Sequence, residues 1–187
     1  MGYNTEFKGC FKLNKPLDKK TRKLINGLSR TRRMKRDLTK LEMTFEEAAQ
    51  YGIDGELYCP AKTNLYGQDN DNSILDYNIP PYTQPGLWCC WNYNKDKNCI
   101  EWNGVEKFYY YVSWLKYLIE RILEPEYKLN GEMKYKGEDK KDSGTIYIVQ
   151  NEIKVEPSNP NFKSSHSMTM HNVLEMVKNK YVYVPNS

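Results

Sequence analysis

The chain has 187 residues, 39% of them hydrophobic and 28% charged, with a formal net charge of +4. These totals read as a soluble globular protein and exclude collagen-like, disulfide-scaffold and disordered classes. No run of 18 apolar residues exists to span a bilayer, so no membrane partner is expected.

The N-terminal phrase MGYNTEFKGC lacks the apolar stretch of an export signal. The five cysteines (Cys10, Cys59, Cys89, Cys90 and Cys99) are odd in number and irregular in spacing. Reduced thiols and a cytoplasmic location are therefore the expectation. The charge is unevenly placed: residues 19–40 carry ten basic side chains against one acid, Asp37. The rest of the chain is net acidic, so a single basic segment is set on an acidic body and should attract an anionic partner.

In chain order, TEFKGCFKL (5–13) alternates as a first strand. Asp18 caps a helix to about Leu28 that turns Leu24, Ile25 and Leu28 inward. Residues 29–37 read as too charged to bury and at most partly helical. Thr44 and Glu47 form a capping box for a short helix ending at Gly52, and IDGELYC (53–59) reads as a strand. Residues 60–86 form a long excursion rich in Pro, Gly, Asn and Asp, a length that usually marks either function or floppiness.

LWCCWNY (87–93) is apolar on both faces, as a central strand is, and returns through NKDKN to CIEW (99–102) as a hairpin. Asn103 and Glu106 suggest a cap for a core-facing helix through Phe108, Val112, Leu115, Ile119 and Ile122, stopped by Pro125. Three strands follow at 129–137, 144–149 and 152–156. Residues 157–187 read as a linker plus a C-terminal helix and strand, YVYV, which could pair at a sheet edge or in a homodimer.

YGIDGELY (51–58) and YKLNGEMKY (127–135) share a Tyr-x-[Ile/Leu]-[Asp/Asn]-Gly-Glu-[Leu/Met] phrase. An internal β-α-β duplication is one explanation and chance recurrence the other. The fold expectation is an α+β domain over 1–156, with an antiparallel or mixed sheet and two main helices packed on one face.

The chemistry is sparse. Adjacent Cys89 and Cys90 would project to opposite faces of a strand, and His166 and His171 are spaced unlike common zinc ligands, so no metal site is expected. DNDNSILD (69–76) lacks the glycine and glutamate of a calcium loop. KGCFKL (8–13) lacks the aromatic spacing of an RNA-binding strand. No nucleotide-binding glycine loop or hydrolase motif appears, and no cofactor is expected. Catalysis, if any, would fall to carboxylates, tyrosines or arginines, with Glu56, Glu132 and Asp76 as the candidates for a hydrolase.

The phrases EFKGCFKLNKPLD, TRRMKRD, GIDGELY, DYNIPPYTQPGLWCCW, EKFYYYVSWLKYLI and LNGEMKYKGE resemble a group of small uncharacterised proteins found mainly in bacteriophage and bacterial genomes. The resemblance implies an accessory protein of viral type and no assigned activity. Within those phrases, and at Gln68 in the excursion between them, the polar residues that a fold alone does not require are Arg32, Arg33, Lys35, Arg36, Gln68, Asp76, Tyr77, Asn78 and Gln84. The resulting expectation is a non-enzymatic protein binding nucleic acid or a nucleotide-like ligand. A protein-interaction module using the tyrosine-rich helix or the tail is the alternative.

Overall fold

A computed structural model of the chain describes residues 2–41, 43–60, 67–68 and 72–162. The tail helix, the YVYV strand, both histidines, Asp69 and Asp71 lie outside the described residues.

The first strand, β1 (Thr5–Leu13), follows its alternation: Phe7, Phe11 and Leu13 are buried while Glu6, Lys8 and Lys12 are exposed. Helix α1 (Lys19–Leu28) starts where Asp18 accepts backbone N–H bonds from Lys20 at 2.7 Å and Thr21 at 3.0 Å. Gly27 sits inside α1 because a Cβ there would lie 2.8 Å from Cys59 Sγ. Gly27→Ala should therefore destabilise by about 1–3 kcal/mol, against the usual gain from alanine in a helix. Urea denaturation measures it, and a stabilised variant would contradict the close packing.

The segment after α1 is extended, and it is not too charged to bury. Met34, Arg33 and Arg36 are all buried, and Lys35–Arg36 forms a short strand, β2. Backbone N–H groups of Arg33, Lys35 and Asp37 donate in turn to the carbonyls of Leu87, Ile79 and Ser73 at 2.7–2.8 Å. These bonds stitch the segment to the 60–86 excursion and to Leu87 just after it, and the excursion's own strand β3 (Ile74–Asp76) pairs antiparallel with β2. Between them, α2 (Phe45–Ala49) opens with the expected capping box of Thr44 and Glu47.

Residues 53–59 are not a strand. Ile53–Gly55 makes a tight helical turn with Asp54 at φ 53° and Gly55 at φ 71°. Gly131, its counterpart in the second Gly-Glu phrase, lies inside strand β6 (Leu129–Gly137) at φ 140°, with its would-be Cβ 2.8 Å from the Cys10 carbonyl. The two phrases adopt different backbones, so the duplication has no structural counterpart here.

The main sheet has six antiparallel strands in the order β4-β5-β1-β6-β7-β8, with β4 (Trp91–Asn94), β5 (Cys99–Trp102), β7 (Ser143–Val149) and β8 (Glu152–Pro157). The two-faced apolar stretch is thus an edge strand, not a central one. Its inward side chains are covered by helices rather than by neighbouring strands. α1 and α3 (Tyr111–Leu118) pack on one face, joining Phe7, Phe11, Trp91, Met133, Ile146 and Ile148 in one core. The opposite face is left to exposed residues such as Lys8, Glu132 and Lys134.

Helix α3 begins eight residues after Asn103. Instead of capping a helix, Asn103 Oδ1 accepts from the Val105 N–H at 3.0 Å, closing a local turn. Lys107 and Tyr110 then adopt left-handed φ values of 62° and 57°. Residues 103–110 are therefore a loop that stands beside the core, and it forms one wall of the site below.

Candidate functional site

The basic segment divides by the partners of its guanidinium groups. Arg33 is 2% exposed and uses three donors internally: Nε to Gln84 Oε1 at 3.1 Å, Nη1 to the Tyr58 carbonyl at 2.9 Å and Nη2 to the Glu56 carbonyl at 2.8 Å. Burial pulls its pKa below the ordinary guanidinium value. Arg36 is 4% exposed and donates to Ser73 Oγ at 2.8 Å and the Gly67 carbonyl at 3.1 Å, with Tyr58 under its plane at 5.0 Å. Lys35 pairs at 3.8 Å with Asp54. These cations hold irregular backbone whose carbonyls have no ladder to join. Arg33 and Arg36 are internal braces, so the expectation that they present charge to a ligand is corrected. Gln84, 1% exposed, belongs to the same network through Arg33 and Tyr117 Oη.

Arg32 is different. Its Nε donates to the Tyr77 carbonyl at 2.9 Å, its Nη2 reaches Asn78 Oδ1 at 3.3 Å, and its guanidinium lies 5.8 Å from the Trp88 ring centre. Asn78 and Trp88 both line a cleft of about 830 Å³ between the excursion and the 103–110 loop. Trp88, Tyr109 and Tyr110 supply its aromatic walls, with Pro80, Pro85 and Val105 beside them. Gln68, Asn78 and Asn103 bring side-chain amides, and Lys107 and Glu106 bring opposite charges at the exposed edge. That is a mostly apolar hollow with a few convergent polar groups, the usual build of a small-ligand site. Cys90 also borders it, its thiol pushed up to about 12 by burial, so the thiol stays protonated at neutral pH and is no nucleophile there.

Of the residues singled out in the sequence, the cleft gathers Gln68 and Asn78, and Arg32 touches it through Asn78 and Trp88. Tyr77 is 42% exposed and meets Arg32 through its backbone. Hydrophobic periodicity hides Trp88, Asn103, Lys107, Tyr109 and Tyr110 as ligand residues, because it assigns Trp88 to a central strand and the others to a helix start. The positive signal available was the density of aromatics with Asn and Gly at 86–110.

The three carboxylates do not meet. Glu56 is 0% exposed and is held by Arg121 and the Thr83 hydroxyl. Glu132 is exposed on the face of the main sheet away from the helices, and Asp76 lies on β3, accepting from the Asn78 N–H at 2.7 Å. An acid–base pair needs two carboxyls on one substrate, so this arrangement gives the hydrolase reading no site. Tyr111, Trp114 and Tyr117 of the tyrosine-rich helix are buried, which removes them as an interaction surface. All five cysteines are free, and among the described residues no group of three His, Cys, Asp or Glu could hold a metal. No described helix is long and apolar enough to cross a membrane.

Comparison of the chain with protein-family models, with curated proteins and with solved structures finds no match.

Proposed function

We propose that the protein is a non-enzymatic binder of an anionic, ring-bearing ligand, a nucleotide or a base of single-stranded nucleic acid, seated in the Trp88 cleft. The observation that supports this most is the meeting of Trp88, Tyr109 and Tyr110 with the amides of Gln68, Asn78 and Asn103 in one hollow. Aromatic faces stack any base, and amides can pair with its edge. Lys107 on the rim and Arg32 beside Trp88 are the cations placed to meet phosphate. The basic segment thus serves the site through Arg32, while Arg33 and Arg36 hold its wall. The resemblance to phage-encoded proteins favours a viral-type accessory role inside an infected cell.

The test is binding of uridine 5′-monophosphate and of an eight-residue oligothymidylate, followed by calorimetry. Trp88→Ala is expected to weaken both by about 1–3 kcal/mol, or five- to 150-fold. Arg32→Gln with Lys107→Gln should lower the salt slope for the oligonucleotide by about 0.7 for each lost phosphate contact. Equal affinity and equal slope in all variants would refute the reading.

A second reading, a protein-interaction module, is favoured by a different observation. Leu75, Ile79 and Tyr82 are each about half exposed within eight residues of chain, and large apolar side chains that gather in water mark protein-interaction surfaces.

A further inference from the structure

Resting on the cleft reading above, we infer that the ligand carries a hydrogen-bond acceptor on its ring, which reaches the indole N–H of Trp114 past Gly86 when Tyr110 swings aside. Trp114 is 0% exposed and its Nε1 has no hydrogen-bond partner. Indole nitrogen is a donor only, so this group cannot be relieved by accepting from elsewhere. Among the described residues the other buried orphans are the amide oxygens of Asn4 and Asn92, which are acceptors, and the Thr31 hydroxyl, which can rotate to donate or accept. Two of the remaining tryptophans show what the fold normally provides: Trp91 Nε1 donates to the Tyr111 carbonyl at 2.9 Å and Trp102 Nε1 to the Val105 carbonyl at 3.0 Å.

The orphan lies immediately behind the cleft. A Cβ on Gly86, a lining residue, would stand 4.0 Å from Trp114 Nε1 and 3.0 Å from the Tyr110 ring. Glycine at this position lets the Tyr110 ring close against the backbone, and the indole N–H lies just beyond that contact. Tyr110 is itself held at φ 57°, a left-handed conformation costly for a bulky side chain, directly before α3. Strain of this kind is retained where a conformational change is used. Release of Tyr110 would relieve the backbone and uncover the waiting donor together.

The acceptor chemistry fits a carbonyl or ring nitrogen on the edge of a base, with Lys107 on the cleft lining and Arg32 beside Trp88 as the cations for its phosphate. A free nucleotide and a single strand share this chemistry, and the two probes separate them.

The experiment follows the four indole N–H resonances of the full chain by ¹H–¹⁵N NMR during titration with uridine 5′-monophosphate and, in parallel, oligothymidylate. The Trp114 signal should move downfield saturably with at least one probe, in step with the amides of residues 86–88. Trp114→Phe, which removes the N–H and keeps a ring, should weaken binding about three- to tenfold. Gly86→Ala should weaken it further by filling the passage. If the cleft amides shift while the Trp114 indole stays fixed and Trp114→Phe binds normally, this inference fails and the cleft reading stands. If neither probe shifts the cleft amides, both fall.

Discussion

Replacing Arg33 with alanine is expected to lower the unfolding free energy by about 3–5 kcal/mol, whereas the same change at the half-buried Arg32 should cost less than about 1 kcal/mol. The difference comes from where the donors point. Arg33 is 2% exposed and satisfies the carbonyls of Tyr58 and Glu56 and the amide oxygen of Gln84. Each acceptor left dry after truncation carries its own desolvation cost. Arg33→Lys should recover little of the loss, because the three acceptors are spaced to meet Nε, Nη1 and Nη2 of a planar guanidinium and a compact ammonium cannot span them. Urea midpoints for the variants measure this directly. Equal destabilisation by Arg32→Ala and Arg33→Ala would show that the brace is not formed.

The second large effect belongs to Trp91. Trp91→Ala is expected to cost about 3–5 kcal/mol, the range for removing a fully buried large aromatic. Its ring meets Phe7 at 5.2 Å and Phe108 at 5.0 Å, and its Nε1 donates to the carbonyl of Tyr111, the first residue of α3. The side chain thus ties the edge strand β4 to the point where the 103–110 loop turns into helix. Trp91→Phe should lose less stability, roughly 1–2 kcal/mol, since a ring remains while one carbonyl is orphaned. Thermal unfolding separates the two, and a loss under 1 kcal/mol for Trp91→Ala would place the core elsewhere.

Much of the fold could be read from the residues alone. The alternation of 5–13, the Asp18 cap and the Thr44–Glu47 box are local signals, set by nearest neighbours in sequence. The terminal meander was equally plain. What local patterns did not carry was the partner of each charged or irregular segment. Residues 29–37 looked unburiable because a run of arginines is costly without acceptors. The acceptors are the carbonyls of Glu56, Tyr58 and Gly67, twenty or more residues further along the chain. A long irregular excursion beside a basic run is the sequence sign of this arrangement, since such backbone needs donors and arginine offers five.

The cleft was half legible for a related reason. Gln68 and Asn78 stood out as polar residues that packing does not require, and they line it. Trp88 and Tyr110 were absorbed into a strand and a helix by hydrophobic periodicity, which cannot distinguish a ring facing the core from one facing a hollow. The late start of α3 decides between them, and that start depends on the Asn103 turn and the left-handed Lys107 and Tyr110.

The most direct test is a backbone-amide NMR map of the full chain titrated with uridine 5′-monophosphate. Saturable shifts are expected at Asn78, at residues 86–88 and along 103–110, with the lysines of the open sheet face unmoved. Shifts confined to Lys8, Lys134 and their neighbours, or no saturable shift at all, would contradict the assignment of the Trp88 cleft as the ligand site.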